Sequence, residues 1–195
     1  MPPKKPVKAA PAKKPAAKAA APEKKSLPEK LPEIEVSIKA LSALLKEDAE
    51  NKIKDSGRWP LIIDTVGQTA TFLRYQDVNF LNAVSPSKME PEVIRKALLG
   101  AVRYGKPVVL DMMEVNMYKT VETRFDEIQK GLLQSILDKS FIEKKLFLQL
   151  VKPEDGDDYK DHCFCEEDNF KFFLLTQNLT PEDELLRLTL PIKVV

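Results

Sequence analysis

The chain has 195 residues, with 31 Lys and Arg against 30 Asp and Glu and a net charge of +1, which leaves room for one ordinary domain and an appendage. The near-neutral total conceals a division, because residues 1–32 hold nine Lys against Glu23 and Glu29, a net of +7 that leaves −6 for the remainder. No window of about 18 apolar residues exists to cross a membrane as a helix, and the amino terminus has neither the apolar core of a secretory signal nor the Arg/Ser-rich pattern of a transit peptide. The two cysteines, Cys163 and Cys165, are one residue apart, a poor spacing for a stabilising disulfide. These features predict an intracellular protein in a reducing compartment.

Residues 1–32, with the run "PPKKPVKAAPAKKPAAKAAAPEKK", are expected to be a disordered basic tail, since Lys, Pro and Ala cannot bury enough apolar surface to offset the entropy of ordering. Such a tail either seeks polyanions through counterion release, with DNA, RNA, anionic lipid and the acidic tails of tubulin as candidates, or serves as a solubilising linker kept extended by its prolines. Across 33–56, Ile34, Ile38, Leu41, Leu44 and Leu45 recur at helical spacing ahead of Gly57, predicting one amphipathic helix.

From 57 to 195 short apolar runs alternate with helical stretches, the pattern of an α/β domain with a mostly parallel sheet covered by helices on both faces. Strands are predicted at Leu61–Asp64 and Val78–Ala83, with a helix over Ala70–Tyr75 between them. The segment "SPSKMEPEVIRKALLGAVRYG" predicts a helix with Val93, Ile94, Ala97, Leu98 and Val102 on one face and Gly105 as its stop. "KPVVLDMMEV" reads as a buried strand ending in Asp111. A helix-rich stretch follows, then a strand in "LFLQLV", a charged loop in "KPEDGDDYKDHCFCEEDN", a strand in "FKFFLLTQN" and a last strand within "LLRLTLPIKVV".

The stretch "RWPLIIDTVGQTATFLR" has the strand, tight turn and helix in which a P-loop works, without its chemistry. A P-loop requires G-x-x-x-x-G-K-[ST]. Here Gly67 is followed by Gln68 and Thr69, and Ile62 stands where the first glycine belongs. The acidic strand "PVVLDMME" carries Asp111 followed by Met112, with Glu114 three residues away from Asp111. Without the Lys, the main fixed positive charge on a transferring phosphoryl group is missing, so turnover is not expected. The vestigial candidates for a nucleotide site are Gly67, Gln68, Thr69 and Asp111, with Thr69 and Asp111 able to share a magnesium ion. The alternative is that Gly67 merely permits a turn and Asp111 caps or pairs at a sheet end. His162, Cys163 and Cys165 in "DHCFCEED" lack the C-x-x-C spacing and second segment of a structural zinc site, and read as a charged solvent loop. A second histidine is lacking, so a His-based hydrolase is unsupported, and the apolar run in "NFKFFLLTQN" reads as core packing rather than a base-stacking surface.

Three blocks, "RWPLIIDTVGQTATFL", "ALLGAVRYGKPVVLDMMEV" and "FKFFLLTQNLTPED", resemble the ATP-binding dynein motor region, the fifth AAA+ module of dynein heavy chains. Arg58, Trp59, Pro60, Leu61, Ile63, Asp64, Gly67 and Gln68 carry the first match. Ala101, Gly105, Pro107, Val108 and Leu110 carry the second, and Phe170, Leu174 and Thr176 the third. The resemblance covers residue 57 onward and implies an incomplete P-loop NTPase (AAA+)-like parallel sheet sandwiched by helices. Despite its name, the family's module is one without a working nucleotide site, with a structural role in the motor ring. This chain departs from it at Leu179 and Thr180, where the family has Asn-Pro, and at Asp111 and Met112, where it has Glu-Asn. Other ring modules, stalk and linker are lacking, which speaks against a motor. The Lys/Pro/Ala run ahead of such a module is also similar to the carboxyl-terminal part of IQ motif and ankyrin repeat-containing proteins, implying a short form or a piece of one.

The resulting expectation is a non-catalytic interaction or scaffold module without a cofactor, associated with dynein, microtubules or the cilium in the cytoplasm or cytoskeleton. Its tail would touch polyanions, and no membrane insertion is expected. The alternatives are a residual binder of ATP and magnesium, or a nucleic-acid-binding protein whose tail acts like that of a linker histone.

Overall fold

The computed structural model describes residues 27–48 and 51–195, so the tail expected over 1–32 lies outside the described residues as far as position 26. Residues 27–33 run without regular structure into β1 (Ile34–Val36), which is followed by α1 (Ile38–Glu47) and α2 (Lys52–Ser56). The single helix expected over 33–56 is therefore corrected. Ile34 and Val36 pair in parallel with Ile192 and Val194, and Ser37 starts α1 by accepting a hydrogen bond from the Ala40 N–H at 3.4 Å. Helical spacing of apolar residues cannot reveal that a free sheet edge lies within reach of the segment's first turn.

The remaining elements are β2 (Pro60–Ile63), α3 (Gln68–Arg74), β3 (Asn79–Asn82), α4 (Pro91–Tyr104), β4 (Val108–Asp111), α5 (Tyr118–Asp126), α6 (Leu132–Leu137), α7 (Ser140–Glu143), β5 (Phe172–Thr176), α8 (Asp183–Leu188) and β6 (Leu190–Val194). The six strands form one sheet in the order β1-β6-β2-β5-β4-β3, and every pairing is parallel. The strands predicted at 61–64 and 78–83 are present within a residue or two, and those expected in "KPVVLDMMEV" and "FKFFLLTQN" are β4 and β5. The predicted helix ending at Gly105 is α4, closed by that glycine at φ 63°.

The apolar run Leu146–Leu150 is not a strand but a 3₁₀ segment. β4 and β5 are already paired directly, Val108 with Phe172 and Leu110 with Leu174, so no ladder position remains between them. Phe147 instead packs against Phe141 and Phe164 in the layer above the sheet. The last apolar stretch divides likewise, into α8 and then β6.

Alternation along the strands separates two cores. Leu61, Ile63, Leu110 and Leu174 face the layer built by α4 to α8, whereas Ile62, Val109, Phe173 and Leu175 face α1, α2 and α3. Connections toward the β3 edge use the α1–α3 face and the returning connections use the other, as right-handed crossovers require. The chain leaves β2 toward one edge and returns past it to β6 on the other side. The topological switch point, where open α/β sheets place ligands, is thus at the carboxyl ends of β2 and β5.

Candidate functional site

The switch point coincides with the turn that resembles a P-loop, and the structure puts Asp64 at its centre. Asp64 follows β2, its N–H donates to the Thr176 carbonyl at 2.9 Å, and its side chain is 1% exposed. The carboxylate turns back into its own loop. Oδ1 accepts from the N–H groups of Val66 at 3.0 Å and Gly67 at 3.1 Å, and Oδ2 accepts from that of Thr69 at 2.5 Å. Successive N–H groups converging in this way form the kind of nest that holds a phosphate in a P-loop. Here the anion is supplied by the protein.

Burial pushes the Asp64 carboxyl upward, but the Thr69 N–H and hydroxyl, with the N–H groups of Val66 and Gly67, outweigh it and hold the group below the usual aspartate range. The Thr69 hydroxyl contributes by proximity rather than through a well-formed hydrogen bond, since Oγ1 is buried without a partner of proper geometry. The nest thus contains a permanent negative charge at neutral pH, and a phosphate brought to it would meet like charge and occupied donors.

The four sequence candidates are only partly united by the fold. Gly67, at φ 77°, is the residue before α3, and a Cβ there would lie 3.1 Å from Nε2 of Gln177. The Gln177 amide therefore covers the glycine from the β5 side. Gln68 is exposed on the first turn of α3, whereas Thr69 is fully buried. Asp111 ends β4, fully buried, on the α1–α3 side of the sheet. Its Oδ1 accepts from the Met113 N–H at 3.0 Å, and its Oδ2 lies 3.6 Å from the Arg74 guanidinium without a hydrogen-bond partner. Burial raises the Asp111 carboxyl above its ordinary range, against the Met113 N–H and the Arg74 charge. Glu114 is exposed in the following loop. Lys and Arg are missing from 59–73, 112–118 and 177–186, so the loops after β2, β4 and β5 offer no cation to a triphosphate, while Lys88 stands in the loop after β3 and the half-exposed Arg74 guanidinium lies beside Asp111.

Sequence reasoning missed Asp64 as the decisive residue, because its place at a strand end does not by itself show which way its side chain turns. A signal existed in the spacing, since Asp followed two and three residues later by open N–H groups is the pattern of an Asx turn. It also missed Gln177, which comes from 110 positions away in the chain and is brought over Gly67 only because β5 pairs with β2.

Two other regions fill out the picture. Cys163 and Cys165 are free thiols, bonded only weakly to the carbonyls of Asp157 and His162 at 3.6 and 3.5 Å. Among the described residues no group of three or more His, Cys, Asp or Glu is placed to hold a metal ion. A cleft of about 360 Å³, lined in part by Leu45, Phe72, Tyr104 and Phe173, lies at the opposite, amino end of the strands, away from the nest. The crevice beside Met112, Asn116 and Pro181 at the carboxyl end is too narrow to admit a water-sized molecule. Among the described residues no helix is long and apolar enough to cross a membrane. The chain matches no protein-family model.

Proposed function

We propose that this chain is a non-catalytic interaction module of the dynein-motor-region AAA+ type. In this reading it is a scaffold in a cytoskeletal or ciliary assembly, and its Lys-rich tail makes salt-sensitive contacts with a polyanionic surface such as the microtubule. The observation that carries the reading is the Asp64 carboxylate seated in the nest that a working relative would keep for phosphate. The all-parallel sheet with helices on both faces is compatible with that family, and the loop residues leave little for catalysis. Positioning and charge stabilisation are almost the whole of phosphoryl-transfer catalysis, and the nest has lost both its open donors and its cation.

The test is calorimetric titration of the full chain with Mg-ATP and Mg-ADP. No heat of binding is expected, and micromolar binding that disappears in Asp111→Ala overturns the reading. For the tail, co-sedimentation with microtubules is expected at low salt, decreasing steeply as salt rises and lost when residues 1–26 are removed. Binding that survives the truncation removes the tail from the proposal.

One observation favours a second reading, a residual cation site. Thr69 Oγ1 and Asp111 Oδ2, the pair that would share a magnesium ion, are both buried without hydrogen-bond partners. These two oxygens suit a hard cation, but the phosphates that ordinarily accompany it do not fit a nest filled by Asp64. Titration with Mg²⁺ or Mn²⁺ alone separates the readings. Stabilisation of the wild type that Asp111→Asn abolishes establishes the cation site.

A further inference from the structure

The cleft of about 360 Å³ at the amino end of the strands falls within the range of small-molecule sites, about 300 to 1,000 Å³. Its floor is apolar. Leu45 of α1, Phe72 and Leu73 of α3 and Phe173 of β5 line it, and all four belong to or pack against the core on the α1–α3 side of the sheet. Lys171, also in the lining, stands two residues before Phe173 and so shares its face of the strand.

The charges at the mouth of the cleft are not equally free. Lys171 Nζ donates to the carbonyls of Leu45 at 3.0 Å and Lys46 at 2.7 Å, in the last turn of α1, which leaves one of its three N–H groups. The Lys46 side chain is exposed at the same helix end. Among the described residues neither ammonium has a carboxylate partner. Both carboxylates of the lining are engaged, Asp77 by Lys106 at 2.7 Å and Glu166 by the Asn169 amide at 2.6 Å. Arg103, beside the rim, stacks on Tyr104 and pairs with Asp158 at 3.4 Å. Three ammoniums against two carboxylates leave the mouth net positive, with Lys46 and Lys171 as the cations still open to a ligand.

We propose that this cleft binds a small monocarboxylic acid with a flat aromatic body. The body would lie against Phe72 and Phe173, where ring pairs gain more than the buried area alone. The carboxylate would accept the remaining Lys171 N–H in a charge-assisted bond, with Lys46 closing over it. The end of α1 discriminates among anions. Its carbonyls carry a partial negative charge that Lys171 offsets, and the lining contains no arginine to grip a dianion, so a single carboxylate suits the mouth better than a phosphate. A cationic ligand would meet two ammoniums and carboxylates already taken.

The inference is independent of the nucleotide reading, because the cleft and the nest are at opposite ends of the strands. The probe is naphthoic acid, titrated into the full chain by calorimetry beside its neutral counterpart naphthalenemethanol and its cationic counterpart naphthylmethylamine. The acid is expected to bind with a Kd of about 0.1 mM, about tenfold tighter than the alcohol, and the amine more weakly than either. Ser42→Trp, which puts an indole into the cleft from a half-buried position of α1, should weaken the acid at least tenfold. Lys171→Gln should cut the preference for acid over alcohol about tenfold, whereas a merely structural loss would weaken both alike. If that variant fails to fold, Lys46→Gln, at an exposed position, should melt as the wild type does and lower the same preference about threefold. No binding of the acid, equal binding of acid and alcohol, or tighter binding of the amine overturns the site. So does acid binding unchanged in Ser42→Trp, or a constant acid-to-alcohol ratio in the lysine variants.

Discussion

Removing the side chain of Asp64 asks whether the nest depends on its internal anion. In Asp64→Ala three N–H groups lose the carboxylate that accepts from them. Thr69 is fully buried, so its stranded donor costs about 1–3 kcal/mol, while the Val66 N–H turns to water and the half-buried Gly67 N–H keeps the Asp64 backbone carbonyl at 3.3 Å, a loss of about 0.5 kcal/mol each. The sum is roughly 2–4 kcal/mol, a fall in Tm of about 5–15 °C for a domain of this size. The vacated nest should then accept inorganic phosphate. At about ten times its Kd, bound phosphate returns about 1.4 kcal/mol to the variant, beyond the general stabilisation that excluded anions give any protein. The assay is a circular dichroism melt of wild type and Asp64→Ala over a phosphate series, with Gly105→Ala as a destabilised control whose nest is intact. A loss below about 0.5 kcal/mol, or phosphate stabilising the variant no more than the control, refutes the argument.

That control is itself a prediction. A Cβ on Gly105 would sit 2.9 Å from the Asn169 Cβ and 3.3 Å from the Glu166 Cβ, at φ 63°. Gly105→Ala should therefore cost about 1–3 kcal/mol in a denaturant titration, and a neutral result would show that the 166–169 turn yields freely. In Asp111→Asn the Met113 N–H keeps an acceptor and a buried charge is removed. Because burial raises this carboxyl in the folded state, its charged form weakens folding at neutral pH, so the variant should melt no lower than wild type. A clear fall in Tm would mean that the Arg74 pairing at 3.6 Å outweighs the burial. Asp155 is held down to about 2 by the Arg95 guanidinium. A depressed carboxyl stabilises the fold above its unfolded pKa near 3.8, and the contribution is lost as pH falls toward 2. Acid titration of stability should thus flatten between about pH 4 and 2 in Asp155→Asn, and an unchanged acid limb would exclude this pair as a determinant.

Much of the architecture was legible because it depends on local pattern. β2, β4 and β5 are apolar runs bounded by turn residues, and the proline that opens α4 and the glycine that closes it bound its apolar face. The run Leu146–Leu150 was legible only as buried. Whether a short apolar segment becomes strand or helix depends on an open place in a ladder, and β4 and β5 had closed it. Ile34 erred in the opposite direction, since the edge of β6 that recruits it lies at the far end of the chain.

The sequence by itself determined what the candidate site lacks. A missing Lys after Gly67 and a missing carboxylate after Asp111 are facts of composition, and no packing restores them. Only the tertiary structure decided what takes their place. The Asp64 carboxylate folds into its own loop, and Gln177 closes over Gly67 because β5 lies beside β2. Side-chain direction and strand neighbourhood are set by pairing across the sheet, a long-range property that period and propensity along the chain do not encode.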